Sequence, residues 1–516
     1  MIAALASLVA GCQSIFHVSG GHDPSDAAID ALPDVPPNTV AGSYTDLYAT
    51  NNPDLTPTTV PYVFAPSDIT LTVTLDDGST PPVDYNADGT FTFRIAHSGQ
   101  SYRLVISNAV LSLFEYQAAD SRFTMVSRLA GRPDRVPVTK PTTINFSYSI
   151  PAPCTVAAPC YPLVMSTGIY SFTGVGLSNT GVFSYNWQNV NVAAGTLGLL
   201  DASRNDAIYL EQYQQTMVGT AYYDWIAGVA TAQITQTDGG TSNIGDGNTR
   251  TPMTAVNLDK CGHVIAAFYE ELHRLGSAVS EPYNNAGDDW QIAEVPDPTL
   301  GPVAADWVAD YSQPNGSVAD SDGQFGFGNP FSGTQLIAGM QVYAQRPISL
   351  PGTTTPGELT NQTFEWIDMP KLDSSCPANV VTLPSGGIAI ASLATLAGDL
   401  LDNDSQTVML DPDTDPLVTW TTAAPGALDY SVALLFELLP SSGTTVTVLR
   451  YQIMTHDRTQ VTFPRALFAT GHAYVIRIDD HVGFPNAKSG DFSVLTYPAI
   501  SSTMWSHWFY ASTTGT

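Results

Sequence analysis

The chain has 516 residues, is 43% hydrophobic and only 13% charged, and carries a net charge of −30 from 48 acidic and 18 basic residues. That content excludes a disordered chain and leaves room for about three or four domains, each with its own core. The negative field disfavours nucleic acid and acidic lipid surfaces as partners, and 41 Gly with 37 Pro favour short strands joined by turns.

The N-terminus reads MIAALASLVAGC, an apolar run ending at Cys12. It is too short to span a bilayer, which takes about 20 apolar residues. Val9-Ala10-Gly11-Cys12 resembles the lipobox of bacterial lipoproteins, and the residues before it resemble the hydrophobic part of a signal peptide. The resemblance implies a signal peptide over 1–11, cleavage before Cys12, a diacylglyceryl group on its sulfur and an N-acyl chain. Three such chains anchor firmly, at about 0.8 kcal/mol per buried methylene. Gln13 and Ser14 follow the cysteine with no aspartate beside it, which by the same resemblance implies the outer membrane. No Lys or Arg precedes Cys12, where signal peptides carry a positive n-region, so a start upstream of Met1 is expected, the alternative being a short, weak hydrophobic region. The structural alternative is a buried N-terminal strand with a free thiol.

Setting Cys12 aside leaves Cys154, Cys160, Cys261 and Cys376, an even number that suits an oxidising compartment. Three pairings are open. The short gap in CTVAAPC favours a local Cys154–Cys160 loop and leaves Cys261 with Cys376, a long closure worth about 4–5 kcal/mol in the chain-entropy model. The alternative is four reduced thiols buried as small hydrophobes.

Residues 12–37, rich in Pro, Gly and Asp, have little to bury and read as a tether with a reach of roughly 25–30 Å. Residues 38–150 alternate as strands do. In ITLTVTL (69–75), Ile69, Leu71, Val73 and Leu75 face one way and the threonines the other, and TFTFRI (90–95) and SYRLVI (101–106) repeat the habit after the turns NADG and HSGQ. The run from Asp84 to Ile106, with Asp88-Gly89 before Phe91 and Phe93, then Gly99 and Tyr102, resembles the carboxypeptidase regulatory-like modules. That resemblance implies a small sandwich with an accessory role and no catalytic residues.

Residues 151–383 hold several strand-like runs, then NLDKCGHVIAAFYEELHRLG, where Cys261, Val264, Ile265, Phe268, Leu272 and Leu275 recur at helical spacing. An amphipathic helix is expected over 258–275. His263 and His273 lie about 15 Å apart along such a helix and cannot share one ion, and Glu270 with Arg274 makes an ordinary surface pair. The acidic turns NADG (86–89), ADSDGQ (319–324) and DPDTDP (411–416) suit plain turns, with calcium as the alternative. No phosphate loop, nucleophile elbow or C-x-x-C pair is present, so no cofactor is expected.

Residues 384–404 read as a linker, and 405–516 resemble a fibronectin type III module. Trp420 stands in the position of that family's core tryptophan, and Phe468 precedes Tyr474 at the spacing of its tyrosine corner. Trp505, Trp508, Phe509 and Tyr510 read as a buried last strand, or, if exposed, as a binding patch.

The fold expected is mainly β, with several Ig-like or fibronectin-like sandwiches and one helix in the middle region. The function expected is that of an envelope-anchored, non-catalytic lipoprotein that attaches to the membrane through lipid and binds a protein, glycan or cell-wall partner. The alternative is a secreted-type hydrolase with its catalytic carboxylates in the middle region.

Overall fold

The computed structural model describes residues 38–54, 56–108, 114–134, 136–147, 160–166, 173–174, 182–186, 198–218, 221–245, 254–257, 262–264, 285–295, 306–313, 325–327, 329–331, 335–368, 392–422, 428–456 and 458–513. Strands dominate this set. Its helical elements are three short 3-10 turns, Ala202–Arg204, Arg465–Leu467 and Ala487–Ser489. The protein is mainly β.

The first sandwich has the strand Thr39–Asn51 at the centre of one layer. Pro57–Tyr62 and Thr90–Arg94 pair along one side of it, and Arg122–Ala130 runs parallel on the other. The second layer is Ile69–Leu75, Tyr102–Asn108 and Phe114–Ala118. Ile69, Val73 and Leu75 are buried while Thr70, Thr72 and Thr74 are exposed, the alternation that one covered face requires. Phe91, Phe93, Tyr102 and Phe123 fill the space between the layers.

Hydrogen bonding runs on from this sandwich into the C-terminal region. Phe114–Ala118 lies parallel to Thr444–Thr455, with Glu115 opposite Ile453 and Tyr116 opposite Met454. Thr444–Thr455 pairs with Tyr430–Ser441, which pairs with Ala473–Val482, then Ala499–Trp505, then Gly357–Asp368 and Gln335–Ile348. Further strands of the middle region extend it into an 18-stranded sheet.

The C-terminal part of this sheet is covered on both faces, which explains why Ala473–Val482 is buried almost throughout instead of alternating. On one face Ala433, Leu435, Ile453, Tyr474, Ile476 and Ile478 pack under a small sheet built from Ser392–Leu396, Asp399–Leu400, Leu417–Thr421 and Gln460–Thr462. On the other face Tyr430, Val432, Leu434 and Met454 join the core of the first sandwich. Farther along that face, Leu438, Ala473 and Val475 meet Ile348, Leu350 and Leu359. The first and last sandwiches therefore share a core.

One boundary and one element differ from expectation. Ser392–Leu396 and Asp399–Leu400 fall inside the expected linker, with Leu396 and Leu401 buried beside Trp420, so that stretch belongs to the last sandwich. The helix expected over 258–275 is corrected where the chain is described: Gly262–Val264 is a strand antiparallel to Phe325–Phe327, with His263 opposite Gly326. A partner strand supplies ladder bonds that a few residues of helical spacing cannot anticipate. The rest of that span lies outside the described residues.

Candidate functional site

A cluster of titratable side chains sits at the junction of the first and last sandwiches, around the strand Phe114–Ala118. Its alternation sends Glu115 and Gln117 to one side and Tyr116 to the other. Glu115 is 1% exposed. Tyr451 donates its hydroxyl to Glu115 Oε2 at 2.5 Å, and Gln117 Nε2 donates to Oε1 at 2.6 Å and to Thr462 O at 2.9 Å. Burial pushes the Glu115 carboxyl above the ordinary range, while these hydrogen bonds and the nearby Arg103 draw it part of the way back. Arg103 also pairs with Asp415 at 3.1 Å, and Asp415 accepts from Arg465 N at 2.7 Å. This part of the DPDTDP turn is thus engaged in holding one sandwich to the other.

On the opposite side, Asp120 Oδ2 receives both the Tyr116 hydroxyl and His456 Nε2, each at 2.5 Å. Asp120 lies just beyond the end of Phe114–Ala118, and His456 just beyond Thr444–Thr455, so one carboxylate ties the ends of two paired strands. His456 stacks on Tyr116 with ring centroids 6.0 Å apart, and Phe492 closes the cluster. The arrangement orients an imidazole, with one carboxylate oxygen engaged by both the phenol and the ring. Its geometry is that of a clamp, since the strand pairing and the aromatic packing already place each member.

Two further carboxyl groups are buried at inward positions of strands. Asp46 is 1% exposed, on the face of its strand that carries Tyr44 and Tyr48 and opposite Tyr62 and Ser127. Burial raises it to about 7, with the Tyr44 phenol pulling weakly the other way. Asp480 is fully buried under the last sandwich, where Ser431 donates to Oδ1 at 2.6 Å. Burial raises it to about 6, the Ser431, Thr422 and Trp420 side chains opposing that shift and the neighbouring Asp479 adding to it. Asp479 faces the other way and is held by Arg477 and by the Thr503 hydroxyl at 2.8 Å.

Of the residues singled out in the sequence, Cys12, Cys154, Cys261 and Cys376 lie outside the described residues, as does the turn 319–324. Cys160 opens the strand Cys160–Ser166, and no disulfide occurs among the described residues. Trp420 is 3% exposed in the core of the last sandwich. Tyr474 is buried there too, its hydroxyl donating to Leu467 O at 3.1 Å and accepting from Ala469 N at 2.8 Å. Trp508 and Phe509 are buried, and Trp505 and Tyr510 half-buried, so the aromatic ending serves packing. In the NADG turn Asp88 accepts from Thr90 N at 3.0 Å, and in DPDTDP Asp411 accepts from Asp413 N at 2.9 Å. These are Asx turns that use the carboxylates locally. No group of three or more His, Cys, Asp or Glu among the described residues is placed to hold a metal ion.

Sequence reasoning missed Glu115, Asp120, His456, Asp46 and Asp480. A signal existed for two of them: Asp46 and Asp480 each stand at an inward position of an otherwise apolar alternation, Tyr44-x-Asp46-x-Tyr48 and Tyr474-x-Ile476-x-Ile478-x-Asp480. The clamp had none, because Asp120 and His456 are 336 residues apart.

No family model matches the chain, and no curated protein matches it. Among solved structures, it aligns with the N-terminal four Ig domains of Dscam1 isoform 1.9 at 7% identity, over 92% of this chain and 98% of that one, with a TM-score of 0.12. It also aligns with trypsin-activated alpha-2-macroglobulin from Escherichia coli at 7% identity, over 91% of this chain and 41% of that one, with a TM-score of 0.13.

Proposed function

We propose that the protein is a bacterial envelope lipoprotein, anchored to the outer membrane through Cys12, whose sandwiches form a rigid, non-catalytic scaffold for binding a protein, glycan or cell-wall partner. The observation that carries this reading is Val9-Ala10-Gly11-Cys12 followed by an acidic, Pro-rich tether that the membrane surface repels. The engagement of Glu115, Asp120, His456 and Asp415 in holding one sandwich to another supports a structural use of those groups. The regulatory-like and fibronectin-like resemblances, and the oxidised pairing of the four remaining cysteines, belong to the same reading.

Metabolic labelling with palmitate, followed by mass spectrometry of the N-terminal peptide, tests it. Acyl chains on Cys12, lost together with membrane association in Cys12→Ser, are the expected result. An unacylated, unprocessed N-terminus in envelope fractions overturns the anchoring. Partner binding is read separately, with the Cys12→Ser chain applied to isolated cell-wall fractions and glycans.

A further inference from the structure

Among the described residues, the 18-stranded sheet has an open edge on the first sandwich. Ile69–Leu75 pairs with Tyr102–Asn108 and, among the described residues, with no strand on its other side. Asp76 N donates to Ser101 O at 3.1 Å, whereas Leu75 N turns away from that partner and donates to Ser79 O at 2.8 Å. Antiparallel pairs alternate between inward- and outward-facing backbone groups. Thr70, Thr72 and Thr74 therefore bond inward, and Ile69, Leu71 and Val73 present their N–H and C=O outward. Gly78 N closes onto Leu75 O at 2.9 Å, which ends the open stretch at Val73.

Exposed edges are ordinarily blunted by lysine, proline, a bulge or a short strand. This one has none of those devices. Residues 69–75 contain no charge, no Pro and no Gly, and the register with Tyr102–Asn108 is unbroken. Ile69 and Val73 are buried, and Leu71 between them on the same face is left half-buried.

We propose that this edge pairs antiparallel with the same edge of a second copy of the chain, about a two-fold axis at Leu71. The register follows from which groups are open. With Leu71 opposite Leu71 of the second copy, Ile69 falls opposite Val73, so every outward group is used and none of those committed at Leu75. On the solvent face Thr70 meets Thr72, and Asp68 falls opposite Thr74. An axis at Thr72 would set Asp68 against Asp76 and call on Leu75, whose backbone is already bonded. The chosen register also covers the open side of Leu71 with its own counterpart. A two-fold contact of this kind closes on itself and gives dimers rather than fibres. The net charge of −30 on each copy opposes the approach, so the pairing strengthens with salt.

The test uses the full chain carrying Cys12→Ser, so that acyl chains cannot drive association. Sedimentation velocity is expected to show dimer at about 1 M sodium chloride, where the Debye length is about 3 Å, and a shift toward monomer at low salt. Thr70→Lys with Thr72→Lys sets like charges opposite one another and is expected to raise the dimer dissociation constant at least about tenfold. Thr70→Lys with Thr72→Glu sets opposite charges there and is expected to restore it, with circular dichroism confirming that both variants are folded. A starting protein that stays monomeric at every salt concentration overturns the proposal. So does a lysine pair that dimerises as tightly as the starting protein, or a Lys/Glu pair as weak as the lysine pair.

Discussion

Tyr451 reaches across the seam between the first and last sandwiches to donate its hydroxyl to Glu115 Oε2, joining residues 336 apart in the chain. Both side chains are buried, so neither finds water as a substitute when the other is removed. Tyr451→Phe is expected to destabilise the protein by about 1–3 kcal/mol. Because the bond joins two layers of one shared core, denaturant unfolding of this variant, followed by a probe in each sandwich, is expected to show both lost in a single transition. The double variant with Glu115→Gln checks the pairing: the two losses are expected to fall short of additivity by about 1 kcal/mol.

Asp46 makes native stability depend on pH. Its folded carboxyl titrates at about 7, against about 3.9 for an unperturbed aspartate, so the folded chain binds the extra proton between those values. Stability from this group is fully present below about pH 4 and is lost as the pH rises through 7. At about 1.4 kcal/mol per unit the upper bound of the effect is about 4 kcal/mol. Asp46→Asn is expected to be near neutral at pH 4 and stabilising by up to that amount at pH 8. Asp480, raised to about 6, acts with the same sign over a narrower window. Chemical unfolding at a series of pH values reads both, and an unchanged pH profile in Asp46→Asn speaks against the assignment.

The strands were legible because their chemistry is local. ITLTVTL gives its two faces by simple alternation, and the element it forms is Ile69–Leu75. Trp420 and Tyr474 were singled out through a resemblance to a known module and not through periodicity, and both lie in the core of the last sandwich. Ala473–Val482 shows where that legibility ends. A strand covered on both faces carries Arg477, Asp479 and Asp480 inside, and periodicity has no means to show that a second layer will supply their partners. The shared core of the first and last sandwiches was equally hidden, since it rests on Phe114–Ala118 meeting Thr444–Thr455 across more than three hundred residues. At Gly262–Val264 the sequence pointed the wrong way, because a strand partner more than sixty residues downstream decides the conformation.

Tyr474 donates to Leu467 O and accepts from Ala469 N, so its oxygen holds the 3-10 turn Arg465–Leu467 against the following strand. Tyr474→Phe keeps the ring in the core and removes both bonds. The expected cost is about 1–3 kcal/mol, because Leu467 O and Ala469 N both lose this partner. Hydrogen exchange is expected to rise at Ala469 before it rises at Ile476, a local opening that a general loss of packing would not produce.

At Gly490 the backbones of the two sandwiches come into direct contact. Its carbonyl accepts from Thr124 N at 2.8 Å, and Phe492 N donates back to Thr124 O at 2.8 Å, so the loop after Ala487–Ser489 lies against the strand Arg122–Ala130. The glycine has φ +79, and a Cβ there would sit 2.1 Å from Arg122 O. Gly490→Ala therefore meets two penalties, the left-handed backbone and a backbone oxygen that cannot rotate away. Together they are expected to cost about 2–4 kcal/mol. Gly471 separates the two terms: its φ is +80, and nothing lies within 4 Å of an added Cβ. Gly471→Ala is expected to cost only the backbone part, about 1–2 kcal/mol. Thermal unfolding of the two variants side by side reads the difference. Equal losses would mean that the contact between Gly490 and Arg122 is looser than its geometry indicates, and that the sandwiches are held chiefly by Glu115, Asp120 and the shared apolar core.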